Sequence, residues 1–371
     1  MIFLIFLLEG ILRVVIYFKY TENIVSNNKQ LVLNENPINE KYGDEFLKLI
    51  YPQYSKQQWH DLQKETWERG FFYEPFTQFR EKPYKGTYVN VSIHKYRSNG
   101  KVQDWPPNEK STNIFLFGGS TLFGYGVADH ETIPAYFSEL CDDQTNVYNM
   151  GAGFFYSTQE RILFEELLKQ GINIDIAIFL DGLNDLHHGS DEPAMTNRLL
   201  FALQDYNVNE YFPYNTGIMR AYRFFSKEIR NEKKSYISRP DVLNIEQVKS
   251  RMEMNHDLIR SICNDFDVQS LFVIQPIPHF QYSQDSHLYP NSQKEIRKYK
   301  SFYKLLHSNT DFIQKDSFSL ADLQKSKQEP LYVDNVHYSS RFSKLIAQKI
   351  YHSTNFQKIL LKVNLSRADS N

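Results

Sequence analysis

From residue 113 onward, short apolar runs alternate with segments of helical period. Residues 113–117 (NIFLF) form an apolar run closed by Gly118-Gly119-Ser120, the form of a buried parallel strand. Residues 132–141 then predict a helix with Ile133, Phe137 and Leu140 on one face. A second short run, 146–149, leads into Ser157-Thr-Gln-Glu160, which has the spacing of a capping box, and the helix expected there carries Ile162, Leu163, Leu167 and Leu168 and stops at Gly171. Residues 174–180 predict a third strand, ending in Asp181-Gly-Leu-Asn-Asp185. A long amphipathic helix near 245–263, a fourth strand at 270–274 stopped by Pro276, and a last helix near 340–351 with Phe342, Leu345, Ile346 and Ile350 on one side complete the pattern. This alternation predicts an α/β fold, a central parallel sheet covered on both faces, with ligand chemistry at the carboxyl ends of the strands.

The first 110 residues read differently. Residues 2–18 (IFLIFLLEGILRVVIYF) would make roughly 25 Å of helix against a hydrocarbon core of about 30 Å. Glu9 and Arg13 are four apart and can pair on one face, which lowers the cost of burying them in lipid. No small-residue cleavage site follows, so an uncleaved membrane anchor over residues 1–20 is expected, with a helix buried against the protein as the alternative. Lys19 alone leaves the orientation open, so an extracytoplasmic main domain and a soluble form both remain open. Residues 21 to about 52 read as a polar linker or loosely held stem. The Trp, Tyr and Phe-rich stretch 59–96 is punctuated by Pro and Gly, which predicts short strands and loops rather than long helices.

Composition narrows the classes. In 371 residues, 42 Lys+Arg stand against 44 Asp+Glu, a net charge of -2, so there is no basic footprint for nucleic acid. Two cysteines exclude a disulfide framework and a four-thiolate zinc site. The aromatic share is 15%, part of it in a stretch within 206–225 that would form either a lid over a site or a helical insertion with its own small core.

The polar residues at the predicted strand ends carry the chemistry. Ser120 follows the first strand, Asn184 lies after the third, and Asp334 and His337 stand three apart before the last helix. A serine hydroxyl needs a base within hydrogen-bond reach, and the imidazole needs a carboxylate to fix its tautomer. Spacing of i and i+3 lets Asp334 accept from His337 while the other ring nitrogen faces Ser120. The Ser120 backbone N–H, the Asn184 amide and a backbone N–H near Gly151 and Gly153 are candidate donors to an oxyanion. Asp185 is expected to fix its loop. His187 and His188, with Asp191 and Glu192 after them, are expected in a solvated loop rather than at a metal, because adjacent histidines point apart.

Gly118-Gly-Ser120-Thr121, Asn149-Met-Gly151-Ala-Gly153, Gly182-Leu-Asn184-Asp185 and Asp334-Asn-Val-His337 resemble, in order, the four blocks of the SGNH (GDSL-type) hydrolases. The match spans about residues 111–355, with an insertion at about 187–245 and a tail at 356–371. More weakly, the aromatic stretch and the apolar terminus look like a branch of that family with a membrane anchor before the hydrolase. The resemblance implies a three-layer α/β/α sandwich of SGNH or flavodoxin-like type and a serine esterase or deacylase working on an O-acyl ester of a saccharide, lipid or small molecule, with no metal or cofactor. It implies Ser120 as nucleophile, His337 as base, Asp334 as its orienter and Asn184 as an oxyanion donor. An O-acyltransferase acting on polysaccharide, and a carbohydrate-binding protein that keeps the fold without the activity, are the alternatives. Two positions depart from the family pattern. Block one has Gly-Gly-Ser for Gly-Asp-Ser, and the usual block-two glycine aligns with Phe154, which leaves the assignment among Gly151, Gly153 and Phe154 open.

Overall fold

A computed structural model describes residues 45, 47–197, 199, 244–283, 286–288, 293–308 and 316–370. Apart from residues 195–197 and 199, these belong to one compact unit formed by Ile38–Ala194 and Asp241–Asn371. The expected anchor and the aromatic stretch within 206–225 lie outside the described residues. Among the described residues no helix is long and apolar enough to cross a membrane.

The centre is a five-stranded sheet in the order β6-β5-β7-β8-β9, every neighbouring pair parallel. Its strands are β5 (Thr112–Gly118), β6 (Thr145–Asn149), β7 (Ile176–Asp181), β8 (Gln269–Ile274) and β9 (Ser317–Ser319). The fold is the expected three-layer α/β/α sandwich. From β5 the chain steps to β6 on one side and then to β7 on the other, so the carboxyl end of β5 is the switch point, where open parallel sheets form their ligand crevice.

Alternation along the strands divides the core into two chemically different faces. Ile114 and Leu116 of β5 and Ile176, Ile178 and Leu180 of β7 pack with Phe137 of α3 (Ile133–Leu140), Phe342, Ile346 and Ile350 of α8 (Ser340–Tyr351), and Phe356 and Val363 of α9 (Thr354–Ser370). The opposite face is aromatic. Phe117, Phe179 and Phe272 occupy one register across three strands and stack at 4.9 and 5.3 Å. Phe164 of α4 (Ser157–Lys169) meets Phe117 and Phe179 edge-on, and His256 of α6 (Ile245–Asp265) stacks on Phe272 at 4.1 Å. A part of the large aromatic share is therefore this ladder.

Several expectations are corrected. The stretch from residue 59 starts inside a helix, α1 (Lys56–Trp67), whose N-cap Ser55 accepts from the Gln58 N–H while the Gln58 side chain accepts from the Ser55 N–H. Hairpin strands β1 (Phe71–Glu74) and β2 (Gln78–Glu81) and the short pair β3 (Tyr84–Lys85) and β4 (Asn90–Val91) follow it. The polar linker does not extend to 52, because Leu47, Ile50 and Tyr51 are buried with Trp59, Leu62, Val89 and Val91. The tail is the helix α9, held by Phe356 and Val363 in the core and by Arg367, whose Nη2 donates to both oxygens of Asp175 at 2.8 and 2.7 Å. Ser157 caps nothing: Tyr156 is the N-cap of α4, and the Ser157 hydroxyl donates to Asp185 Oδ1 at 2.5 Å. Strand β9 and helix α7 (Gln293–Ser308) complete the elements that the sequence pattern does not display.

Candidate active site

Gly118 ends β5 and Gly119 is the N-cap of α2 (Ser120–Phe123), which places Ser120 at the first helical position at the head of the switch-point strand. A larger residue at 119 would displace the Asn184 amide. A Cβ there would lie 2.3 Å from Asn184 Nδ2 and 3.0 Å from the Phe155 carbonyl oxygen. The loop of Asp334 and His337 is closed by hydrogen bonds from the Val333 N–H to the His337 carbonyl (2.8 Å) and from the Ser339 N–H to the Leu331 carbonyl (2.9 Å). Ser120 and His337 are 217 positions apart, yet His337 Nε2 lies 2.8 Å from Ser120 Oγ. His337 Nδ1 lies 2.6 Å from Asp334 Oδ2, and Asp334 Oδ1 accepts from the N–H groups of Val336 (2.9 Å) and His337 (2.8 Å). Burial alone would push the Asp334 carboxyl up. The His337 charge and these hydrogen bonds outweigh it and hold the group below the usual carboxylate range.

Three side chains brace this arrangement. Gln275, directly after β8, accepts at Oε1 from the Thr121 hydroxyl (2.7 Å) and from the Tyr338 hydroxyl (2.9 Å), so the neighbours of Ser120 and of His337 share one acceptor. Tyr125 stacks on the His337 ring at 5.4 Å, and Trp67, at the end of α1, meets His337 edge-on at 5.3 Å.

Which backbone N–H groups are available as candidate oxyanion donors follows from where each is spent. Met150 donates to the Leu116 carbonyl, Ala152 to the Gly118 carbonyl and Phe155 to the Ala152 carbonyl. Gly151 donates to its neighbour Asn149 Oδ1, and Gly153 to Glu81 Oε1 at 2.8 Å. Gly153 therefore does not offer the free donor expected of it, because a buried carboxylate occupies its N–H. The Phe154 N–H has no acceptor among the described residues, and neither has the Ser120 N–H, an orphan of the first turn of α2. Phe154 adopts φ 65°, a left-handed conformation unusual for a bulky residue, and the residue is 38% exposed. Asn184 Nδ2 donates to the Phe155 carbonyl at 2.7 Å, which leaves its second hydrogen for another partner. Gly182 turns the chain from β7 into α5 (Leu183–His187) at φ 118°, and Asp185 accepts from the Gly182 N–H at 3.3 Å, so Asp185 braces the turn that presents Asn184.

Behind that turn lie the buried carboxyls of Glu160, Asp181 and Asp185, with His256 Nε2 2.7 Å from Asp181 Oδ2. Burial first, and then the charges of Asp181 and Asp185, push the Glu160 carboxyl well above the usual range. His188 does not lie in a solvated loop, whereas His187 is exposed. His187 closes α5, and His188 is buried, stacks on Tyr156 at 4.9 Å, and is lowered to about 4 by burial and by His187. Among the described residues no group of three His, Cys, Asp or Glu side chains is arranged to hold a metal.

Trp67, Tyr125, Gln275 and Glu81 were not legible as site residues. Gln275 alone carried a local signal, a polar residue at a strand end before a proline.

No protein-family model matches the chain, and no curated protein matches it. Solved structures with a similar course include a member of the lipolytic protein G-D-S-L family from Veillonella parvula, at 12% identity and a TM-score of 0.37, covering 66% of this chain and 98% of that one. An acetyl xylan esterase, AlAXEase, is 14% identical with a TM-score of 0.37, covering 65% of this chain and 99% of its own. A putative arylesterase from Agrobacterium tumefaciens is 12% identical with a TM-score of 0.36, covering 64% and 96%. Likeness of this degree carries no argument about the reaction, which rests on the geometry of Ser120, His337 and Asp334.

Proposed function

We propose that the protein is a serine-dependent ester hydrolase that works through an acyl-Ser120 intermediate. The observation that carries this reading is the unbroken hydrogen-bond chain from Ser120 Oγ to His337 Nε2 (2.8 Å) and from His337 Nδ1 to Asp334 (2.6 Å). His337 Nε2 takes the proton of Ser120 as Oγ attacks the ester carbonyl, and Asp334 keeps the other ring proton on Nδ1 and stabilises the imidazolium. The Ser120 N–H, the Asn184 amide and the Phe154 N–H receive the developing oxyanion, each donor contributing roughly 3 kcal/mol in the transition state. His337 then returns the proton to the leaving alcohol. In deacylation His337 Nε2 takes a proton from water as the water oxygen attacks the acyl carbonyl, the bond from that carbon to Ser120 Oγ breaks, and the proton passes to Oγ. A sugar hydroxyl in place of water gives O-acyl transfer.

The test uses the full chain with short p-nitrophenyl esters and acetylated saccharides, beside Ser120→Ala and His337→Ala, together with a fluorophosphonate probe. Turnover and labelling that both vanish with Ser120 support the reading. A folded protein that neither turns over these esters nor takes the label refutes it, and saccharide binding that persists in such a protein would favour the carbohydrate-binding alternative. Mass analysis of products in the presence of a saccharide acceptor separates hydrolysis from transfer.

A further inference from the structure

We infer that Glu81 and Arg69, outside the segment that resembles a hydrolase, are positioning residues that align the base and the oxyanion loop from one buried carboxylate. The inference rests on the acyl-transfer reading above.

The Arg69 and Glu81 side chains are 2% and 1% exposed, and Arg69 Nη1 donates to Glu81 Oε2 at 3.0 Å. Arg69 is itself anchored at the end of α1, with Nε donating to the Glu65 carbonyl (2.8 Å) and Nη2 to the Thr66 carbonyl (3.2 Å). Its guanidinium lies over the Phe123 ring at 4.6 Å, at the end of the short helix that begins with Ser120. The other carboxylate oxygen, Glu81 Oε1, accepts from two groups at once, the Tyr125 hydroxyl at 2.8 Å and the Gly153 N–H at 2.8 Å. Every partner of Glu81 here is a donor, so the carboxylate is a three-way acceptor.

Both outputs reach the reaction centre. The Tyr125 ring is stacked on His337, 21° from parallel, and Trp67 closes against both rings, 4.8 Å from Tyr125 and 5.3 Å from His337. Burial, and then the Glu81 charge, push the Tyr125 hydroxyl well above its usual range, so it remains a donor to Glu81. The Gly153 N–H is fixed one residue before the Phe154 N–H. A Cβ at Gly153 would lie 2.8 Å from Tyr125 Oη, 2.8 Å from Phe71 Cζ and 3.2 Å from Glu81 Oε1, so the loop rests directly on this cluster. A buried ion pair is seldom needed for stability, since apolar groups of similar size often serve as well. What this pair supplies is a common reference for two groups whose relative placement sets the rate, where a misplacement near 1 Å costs about 10²-fold.

The experiment reads His337 directly. The full chain is labelled with ¹⁵N-histidine, and the His337 ring signals, assigned by their loss in His337→Gln, are followed across a pH titration in the unmutated protein, Glu81→Gln, Tyr125→Phe, Arg69→Met and Arg69→Lys. Glu81→Gln is expected to shift the His337 signals and their titration midpoint, and to lower kcat roughly 10²-fold with KM changed less than about 3-fold. Tyr125→Phe keeps the ring and removes only the hydroxyl, so it should shift His337 in the same direction with a smaller loss, and Arg69→Lys should recover part of what Arg69→Met loses. If Glu81→Gln does not fold, Tyr125→Phe decides. Folded variants with native His337 signals and unchanged kcat overturn the inference, as does a loss of activity that only follows the unfolded fraction. Failure of the acyl-transfer reading looks different: the unmutated protein then lacks turnover and fluorophosphonate labelling, while the His337 signals still report whether Glu81 positions the ring.

Discussion

Asp334→Asn tests the orientation of His337 as the proposed base, and the structure decides which way the new amide turns. Asp334 Oδ1 accepts from two backbone N–H groups, of Val336 and His337, while Oδ2 meets a single partner, His337 Nδ1. An asparagine has one acceptor oxygen, and two N–H groups hold it more strongly than one. Its oxygen should stay at the Oδ1 position and its NH₂ should face Nδ1. That arrangement favours the tautomer with a bare Nδ1 and a protonated Nε2, which cannot take the proton of Ser120. The backbone of the loop keeps its hydrogen bonds, so the fold should survive while kcat falls roughly 10⁴-fold, about 5 kcal/mol of lost transition-state stabilisation. Steady-state kinetics on p-nitrophenyl acetate, with a thermal melt as the control for folding, measures this. A folded Asp334→Asn protein that keeps a tenth or more of kcat would refute the assignment of Asp334 as orienter.

Three further outcomes follow from specific contacts. Phe154→Gly keeps the backbone N–H and suits φ 65°, so kcat should stay within about 3-fold, whereas Phe154→Pro removes the donor and cannot adopt that φ, and should abolish turnover; equal activities in the two variants would remove Phe154 from the oxyanion site. Glu160 has a folded-state carboxyl raised above its unfolded value, so the stability it contributes is whole below about pH 4.3 and is lost as pH rises through the folded value. Glu160→Gln should therefore raise the urea midpoint at neutral pH and flatten its decline with rising pH, and a lower midpoint at neutral pH contradicts this. Phe356 is fully buried, 5.0 Å from Phe137 and 5.5 Å from Tyr351, so Phe356→Ala should cost about 3–5 kcal/mol in urea unfolding; a cost under about 1 kcal/mol would show that α9 is not part of the core.

The parallel sheet was legible because strands buried on both faces must be continuously apolar, as residues 114–117 and 176–180 are. β9 escaped because Ser317-Phe318-Ser319 is a three-residue edge strand with one apolar side chain. Helix α1 escaped because its polar face dominates the composition, although Trp59, Leu62 and Thr66 recur at helical spacing after the Ser55–Gln58 capping box. Ser120, Asn184, Asp334 and His337 were legible together: each alone fits an ordinary turn or cap, as Asp334 does in accepting from the Val336 and His337 N–H groups, but all four stand in order at strand or helix boundaries. Trp67, Glu81 and Tyr125 sit in no such pattern. They reach His337 and the block-two loop through packing between segments far apart in sequence, which periodicity does not record.

Ser157 and Glu160 show why local patterns fail near this site. Their spacing fits a capping box, in which each side chain serves a backbone N–H at the helix end. In the folded chain Asp185 offers the Ser157 hydroxyl a buried acceptor at 2.5 Å, and Asn255 Nδ2 donates to the same hydroxyl at 2.9 Å. Glu160 turns inward to the carboxyls of Asp181 and Asp185. A charge-assisted hydrogen bond away from water outweighs a half-solvated cap, typically by a factor of about two, so tertiary partners win wherever they are available. The turn from Asp181 to Asp185, which presents Asn184, is thus braced from behind by α4 and α6. The block-two loop is braced from the other side by Glu81. Both supports depend on buried polar groups supplied by elements other than those carrying Ser120 and His337, and the activity of this site should be more sensitive to those groups than their distance from Ser120 in the sequence implies.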